Sequence, residues 1–328
     1  MSKIKIGIVG YGNWVKDAYL PALEYDGRAE VVAISAKSDK TIAAIKLRFG
    51  SHFKTYSNYE DLLNSSEVDA LMIAVPDHLH GLLIIKAIAS GKPFFYEPPI
   101  GHTRALITKV LKQLVDAPKI THADLELGLI PVVTKAADLL KQGALGDVQT
   151  VNVALRSNWG PEPHQDTNVI NRLTLWYVHM LNIILDSTPN RVLINDGYGT
   201  AGRRQSQSTG IFDYQGIWGT LNVNIDSVDE LVITIKIMGS QGDIFVDILT
   251  GELTFRTKTN AKTSYFPAKQ PYADWPGMRE SITAFIDAVE TNTPSFANAH
   301  LVAELQTIGM ATEVSKDTGG WAEVKRFI

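Results

Sequence analysis

Residues 4–21 read IKIGIVGYGNWVKDAYLP, with Gly7, Gly10 and Gly12 placed where a short apolar strand turns into a helix. A nucleotide pyrophosphate needs a tight turn, a point where backbone approaches without a Cβ in the way, and a helix N-terminus aimed at the charge. Gly10 and Gly12 supply the first two. The third fingerprint position, which lets helix and strand pack closely, is Val15 rather than Gly or Ala, so the helix is expected to stand slightly further off. Outward from the turn, Ile4, Ile6, Ile8 and Val9 form an apolar run and helical spacing follows. A second apolar strand at 31–34 comes about 20 residues after the turn, the βαβ spacing. The opening therefore predicts a dinucleotide unit in which Gly10, Gly12, Asn13 and Trp14 meet the cofactor. A βα turn that binds no nucleotide is the competing reading.

The chain has 328 residues, enough for two domains and a large core, and an ordinary globular composition. No run of about 18 apolar residues appears, and the first residues lead directly into a strand with no basic, apolar signal segment. A soluble cytoplasmic protein without a membrane partner is the expectation. The absence of cysteine excludes disulfides, thiol catalysis and thiolate metal sites, and the eight histidines form no HExxH pattern, so no metal site is predicted. A net charge of −4 gives no reason to expect nucleic acid as a partner.

Up to about residue 122 strands alternate with helical segments, at 4–9, 31–34, 70–75, 94–96 and 119–122, the pattern of a parallel, doubly wound sheet. Within 103–114, Ile107, Val110, Leu111 and Leu114 share one face, the stripe expected to dock on that sheet. Beyond residue 147 the strand runs 148–155, 191–197, 221–225, 231–238, 243–248 and 252–256 read as following one another without helices between them. Helices frame them, one marked by Met278, Ile282, Phe285, Ile286 and Val289, another by Leu301, Leu305 and Ile308. The fold class predicted is α/β: a Rossmann-type parallel sheet over 1–122, then an α+β domain over 123–328 with an open, mostly antiparallel sheet. A catalytic cleft between the domains, taking a small-molecule substrate, and a sheet face free to pair with another subunit follow as expectations.

Cofactor preference is read at the end of the second strand. NAD sites place an acid there for the adenosine ribose hydroxyls, whereas this chain has ISAKSDK, with Ser35 in place of the acid and Lys37 and Ser38 following. A small hydroxyl and a cation suit a 2′-phosphate, so NADP(H) is preferred over NAD(H).

Five ordered segments carry a more specific likeness: VGYGN with LPAL in the first βα unit, AVPDHLHGLLIIKAIASGKP (74–93), YEPPIG (96–101), WYVHMLNIIL (176–185) and MGSQGDIFVD (238–247). Over essentially its whole length the chain resembles the Gfo/Idh/MocA oxidoreductases, named for glucose-fructose oxidoreductase, inositol dehydrogenase and a rhizopine-catabolism protein. The resemblance implies a dinucleotide on the first domain and a sugar, cyclitol or related carbonyl compound over the nicotinamide, against the second domain's sheet. It also implies a homodimer or homotetramer built through that sheet. In the family a lysine in an E-K-P segment and an Asp-x-x-His pair assist hydride transfer, a base taking the hydroxyl proton and a cation stabilising the alkoxide.

The transfer of that machinery is partial. His179 holds the family's histidine position, but the lysine position is Pro98, the aspartate position is Trp176, and a further acidic position is Asn182. His179 is thus the expected proton donor or acceptor, and Tyr96 a second candidate; a structural histidine and a buried strand tyrosine are the bland alternatives. Pro76, His80 and Glu97 are then expected at the cofactor, and Asp124, Trp159, Arg172 and Trp176 at the substrate, Trp176 as a stacking surface where the family has an acid, with Glu126 and His164 as further cleft residues; bracing of loops, plain hydrogen bonds or a solvated loop are the alternatives. Two other readings compete. The E-Y-P-L of biliverdin reductase is similar to Glu97-Pro98-Pro99-Ile100, with Arg156, Trp159, Arg172 and Trp176 as groups for an acidic tetrapyrrole. The lost lysine and aspartate would also suit a redox-silent NAD(P)-binding sensor or regulator, comparable to the fungal galactose repressor.

Overall fold

The computed structural model describes residues 2–160, 167–198, 205–260, 262–265 and 275–325. The chain divides into two compact units, Met1–Asp124 with Met278–Ala303, and Leu125–Gly277 with Glu304–Ile328. The first stretch carries β1 (Ile4–Val9), α1 (Leu20–Asp26), β2 (Ala29–Ser35), α2 (Asp39–Phe49), β3 (Lys54–Tyr56), α3 (Tyr59–Leu63), β4 (Ala70–Ile73), α4 (Asp77–Ser90), β5 (Phe94–Tyr96), α5 (Arg104–Val115) and β6 (Thr121–Ala123). The chain continues through α6 (Pro131–Lys141), β7 (Val148–Ser157), α7 (Val169–Leu185), β8 (Arg191–Tyr198), β9 (Gln205–Tyr214), β10 (Ile217–Asn224), β11 (Leu231–Gly239), β12 (Gly242–Asp247), β13 (Glu252–Thr257) and β14 (Thr263–Tyr265). It ends with α8 (Met278–Thr291), α9 (Ala299–Thr318) and β15 (Ala322–Glu323).

In the first unit the sheet order is β3-β2-β1-β4-β5-β6 and the pairings are parallel, so the strands' carboxyl ends share one edge. Strand order reverses between β1 and β4, the position where open α/β sheets hold ligands. Ile6, Ile8 and all four residues of β4 are buried, as a strand covered on both faces requires. The stripe on α5 docks as expected, with Ile107, Val110, Leu111 and Leu114 buried and the Thr103 side chain capping the helix by accepting from the Leu106 N–H at 3.2 Å. The helix α8 returns to this unit from far along the chain. Phe285 sets its ring edge-on to Phe95 at 5.7 Å and to His122 at 5.8 Å, Thr283 donates to Asp26, and Arg28 pairs with Asp26, Asp287 and Glu290.

The second unit is built on a sheet ordered β14-β13-β12-β11-β7-β10-β9-β8-β15. It is mostly antiparallel, with one difference from the sequence reading: α7 lies between β7 and β8, and β7 pairs with β10 in parallel. The period-2 pattern is clear along β7, where Val151, Val153, Leu155 and Ser157 are buried and the alternate residues are not. The helix α7 packs on the inner face through contacts to β7, β9 and β10. The opposite face carries polar pairs, Thr220 Oγ1 donating to Asn152 Oδ1 at 2.8 Å and Thr209 Oγ1 to Asn222 Oδ1 at 3.0 Å. A depression of about 420 Å³ on that face is lined by residues of β7, β8, β9 and β10, Asn195, Gln207 and Asn222 among them.

Among the described residues no helix is long and apolar enough to cross a membrane, and no group of His, Asp and Glu is arranged to hold a metal ion.

Candidate functional site

At the strand-order reversal the glycine turn is a steric necessity. Gly10 has φ +103°, its N–H donates to the Ser35 carbonyl at 2.9 Å, and a Cβ there would lie 1.9 Å from the Ala74 carbonyl oxygen. A Cβ at Gly12 would meet no atom within 4 Å. The backbone there is open to an approaching phosphate, beside a helix that begins at the exposed Asn13 and half-buried Trp14. Val15 is fully buried and begins a π-helical stretch, Val15–Tyr19. That wider turn falls where the fingerprint's small residue is replaced by a larger one.

The other first-unit candidates lie along the same carboxyl edge. Ser35 ends β2 and is buried, and Lys37 is exposed just beyond it. The Ser38 hydroxyl is engaged in capping α2, accepting from the Thr41 N–H at 3.2 Å and pairing with the Thr41 hydroxyl at 2.8 Å, which leaves Lys37 as the cation free of that duty. Pro76 is exposed before α4. His80 sets one ring nitrogen 2.6 Å from the Val75 carbonyl and the other 3.0 Å from the Pro99 carbonyl, so it braces the loop after β4 against the loop after β5. Glu97 follows β5 and is half-buried. Tyr96 is fully buried, and its hydroxyl has no hydrogen-bond partner among the described residues. Asp124 is 1% exposed and engaged from within its own unit: Tyr19 donates to one oxygen at 3.4 Å and Ser281 to the other at 3.3 Å. The chain of contacts continues from Ser281 to His122 at 3.1 Å and from His122 to Ser295 at 2.6 Å.

In the second unit α7 presents Trp176 and His179 one turn apart. His179 is buried, its Nε2 has no partner among the described residues, and burial lowers its pKa to about 4, so the ring is neutral at neutral pH. Its ring lies against Gly128, where a Cβ would come within 2.8 Å of Nε2. Two residues earlier, the Glu126 carboxylate is 3% exposed and accepts from the Trp176 Nε1–H and the Trp275 Nε1–H, both at 3.0 Å. The residue in the family's aspartate position therefore does not stand in for a base. It orients a carboxylate held by two indoles. Glu126→Ala is expected to lower stability by about 2–3 kcal/mol, the range for hydrogen bonds to a charged group, and to change tryptophan emission; urea denaturation followed by fluorescence checks both.

The remaining candidates lie on β7, beyond its end, and elsewhere on α7. Arg156, one of the groups the tetrapyrrole reading offered, lies on the outer face of β7 and pairs with Asp229 at 2.8 Å, on the face opposite α7. Trp159 is 51% exposed beyond the end of β7, and Arg172 is half-buried in the first turn of α7. Asn182 accepts from the Tyr214 hydroxyl at 2.7 Å, a structural bond across α7 and β9. His164 lies outside the described residues. Trp275 was not foreseen: it is 149 positions from Glu126, and nothing near it in the sequence marks the pairing.

Residues 4–125 match the GFO_IDH_MocA model, described as an oxidoreductase family with an NAD-binding Rossmann fold. That stretch of the chain is similar to the NAD-binding domain of the Gfo/Idh/MocA oxidoreductases. Among similar proteins, an uncharacterized oxidoreductase of Streptococcus pneumoniae is 32% identical over 160 residues, 48% of this chain and 41% of that protein. Inositol 2-dehydrogenase of Klebsiella pneumoniae is 28% identical over 213 residues, 63% and 59% of the two chains. The chain thus spans about half the length of the curated relatives it matches. The crystal structure of levoglucosan dehydrogenase in complex with NADH shares the fold, with a TM-score of 0.81, 17% identity and coverage of 99% of this chain and all of that one.

Proposed function

We propose that this chain is an NAD(P)-dependent oxidoreductase acting on a small sugar, cyclitol or related carbonyl compound. The observation that carries the reading is the turn at the strand-order reversal, where Gly10 is required by its conformation and the space over Gly12 is open. These residues fit a dinucleotide, which when bound would supply or accept hydride. Gly10, Gly12 and the start of the following helix hold the pyrophosphate in this reading, and Lys37, beyond a strand that ends in Ser35 rather than an acid, favours NADP(H). His179, neutral with its Nε2 unpaired, takes the proton when an alcohol is oxidised. The polar outer face of the second unit's sheet is the surface on which copies of the chain would assemble into a dimer or tetramer.

Fluorescence titration should show NADPH bound more tightly than NADH, with Lys37→Ala weakening NADPH by about tenfold and NADH little. His179→Ala is expected to keep cofactor affinity and to lower turnover by about 10²–10⁴-fold. Tight cofactor binding with no hydride transfer across sugar, cyclitol and carbonyl panels would favour the redox-silent sensor instead.

A further inference from the structure

Helix α7 is buried along most of its length, and its partly open stripe is poor in hydrogen-bond acceptors. Among residues 169–181, Arg172 and Trp176 alone are half-buried rather than buried. Positions 172, 176, 179 and 183 share one helical face, so His179 has Trp176 one turn before it and the half-buried Ile183 one turn after. Segment 126–128 lies against this face: a Cβ on Gly128 would come within 2.7 Å of Ile183 Cδ1 and 2.8 Å of the His179 ring.

A substrate hydroxyl brings a proton that needs an acceptor, and the side-chain acceptors around His179 are already engaged. The two positions where the family resemblance places acids are Trp176 and Asn182. Trp176 has no acceptor to offer, and its one polar group, Nε1–H, donates to Glu126 at 3.0 Å. Both Glu126 oxygens are taken, Oε2 by Trp176 and Oε1 by Trp275, and at 3% exposure the carboxylate has no open side. Asn182 Oδ1 accepts from the Tyr214 hydroxyl at 2.7 Å, while its Nδ2, like the guanidinium of Arg172, can only donate. What is left is the His179 imidazole, whose Nε2 has no partner among the described residues. A neutral imidazole has one acceptor nitrogen, which matches one hydroxyl.

We propose that this face of α7 selects hydroxyl-poor ring compounds, an alicyclic alcohol or the ketone it corresponds to, stacked on the Trp176 indole with a single reacting oxygen at His179, and that it rejects polyols. The proposal rests on the oxidoreductase reading above and narrows its substrate class. The indole is flat, half-buried and held in orientation by Glu126, so it fits the apolar face of a saturated ring. A polyol would give up water at every ring hydroxyl and find one acceptor in exchange. Even a single surplus hydroxyl in an apolar pocket is disfavoured by up to on the order of 100-fold.

The first test needs neither cofactor nor turnover. In full-length protein labelled with 5-fluorotryptophan, the ¹⁹F resonance of Trp176, assigned by its loss in Trp176→Phe, should shift on addition of cyclohexanol and stay in place with myo-inositol at the same concentration. No shift with cyclohexanol, or an equal shift with myo-inositol, overturns the proposal. With NADP⁺, kcat/KM for cyclohexanol should exceed that for myo-inositol by on the order of 100-fold, and the opposite order overturns the proposal. Trp176→Asp returns an acceptor to the face and should shrink that ratio by at least about tenfold, whereas Trp176→Phe should hold it within about threefold. A ratio unchanged in a folded Trp176→Asp overturns the role of Trp176, and the wild-type shift decides the matter where that variant does not fold. A Trp176 shift with no hydride transfer from any alcohol overturns the oxidoreductase reading and leaves the binding preference standing.

Discussion

Gly10→Ala is expected to abolish NAD(P)H binding and to lower the stability of the first unit by about 3 kcal/mol. Two physical terms add. A residue with a Cβ is strained at φ +103° by about 1–2 kcal/mol, and forcing that Cβ to 1.9 Å from the Ala74 carbonyl oxygen requires backbone shifts costing about 1–3 kcal/mol. The turn joins three strands, because Gly10 follows β1, bonds to the end of β2 and lies against the residue after β4. Displacing it displaces the whole turn on which the proposed phosphate site is built. Gly12→Ala provides the contrast: its Cβ meets no protein atom, so stability should change by less than about 0.5 kcal/mol, while the methyl group enters the space where a pyrophosphate would approach. Denaturant melts together with NADPH titration separate the two. Equal stability loss in both variants would show that the crowding at Ala74 is not what the glycine relieves.

Glu313→Ala should destabilise the second unit by about 4 kcal/mol. The Glu313 carboxylate is fully buried on α9 and accepts from the Asn168 backbone N–H at 2.8 Å and from Asn171 Nδ2 at 2.7 Å. Asn168 is the N-cap of α7, and it also donates to Thr312 at 3.1 Å; Asn171 accepts from Gln306 at 2.8 Å. Removing the carboxylate leaves two buried donors unpaired, each costing about 1–3 kcal/mol. The affected end is the start of the helix that carries Trp176 and His179, so turnover should fall together with stability. Glu313→Gln keeps one acceptor oxygen and should restore more than half of the loss. A change below about 1 kcal/mol in urea denaturation would mean that water replaces the carboxylate at no cost.

The first half of the fold was legible because its strands are continuous apolar runs separated by helical periodicity. Only β3 escaped there; three residues, KTY, none of them fully buried, give no period to read. In the second half β9 escaped for a different reason. Its inward positions are Ser206, Ser208, Gly210, Phe212 and Tyr214, so the alternation is present but begins with small and polar residues under the helix rather than apolar ones. The reading of the site was uneven in the same way. Gly10 and Gly12 announce themselves, since a turn's chemistry is local. The Glu126 clamp and the His122–Ser281 contact are made by partners 149 and 159 positions apart, which no local pattern encodes. The burial of Tyr96, with its hydroxyl unpartnered among the described residues, and the capping of α2 by Ser38 are features of the packed fold that the two residue types alone do not announce.

The return of α8 to the first unit has a consequence for biosynthesis. Its Phe285 and Ser281 cover Phe95 and His122, yet they leave the ribosome about 160 residues after β6 does. At translation rates of about 5–20 residues per second, the nascent nucleotide-binding half waits on the order of ten to thirty seconds with that face uncovered. A fragment ending at residue 124 reproduces this intermediate permanently, and it is the form of the protein that chaperones should hold most firmly.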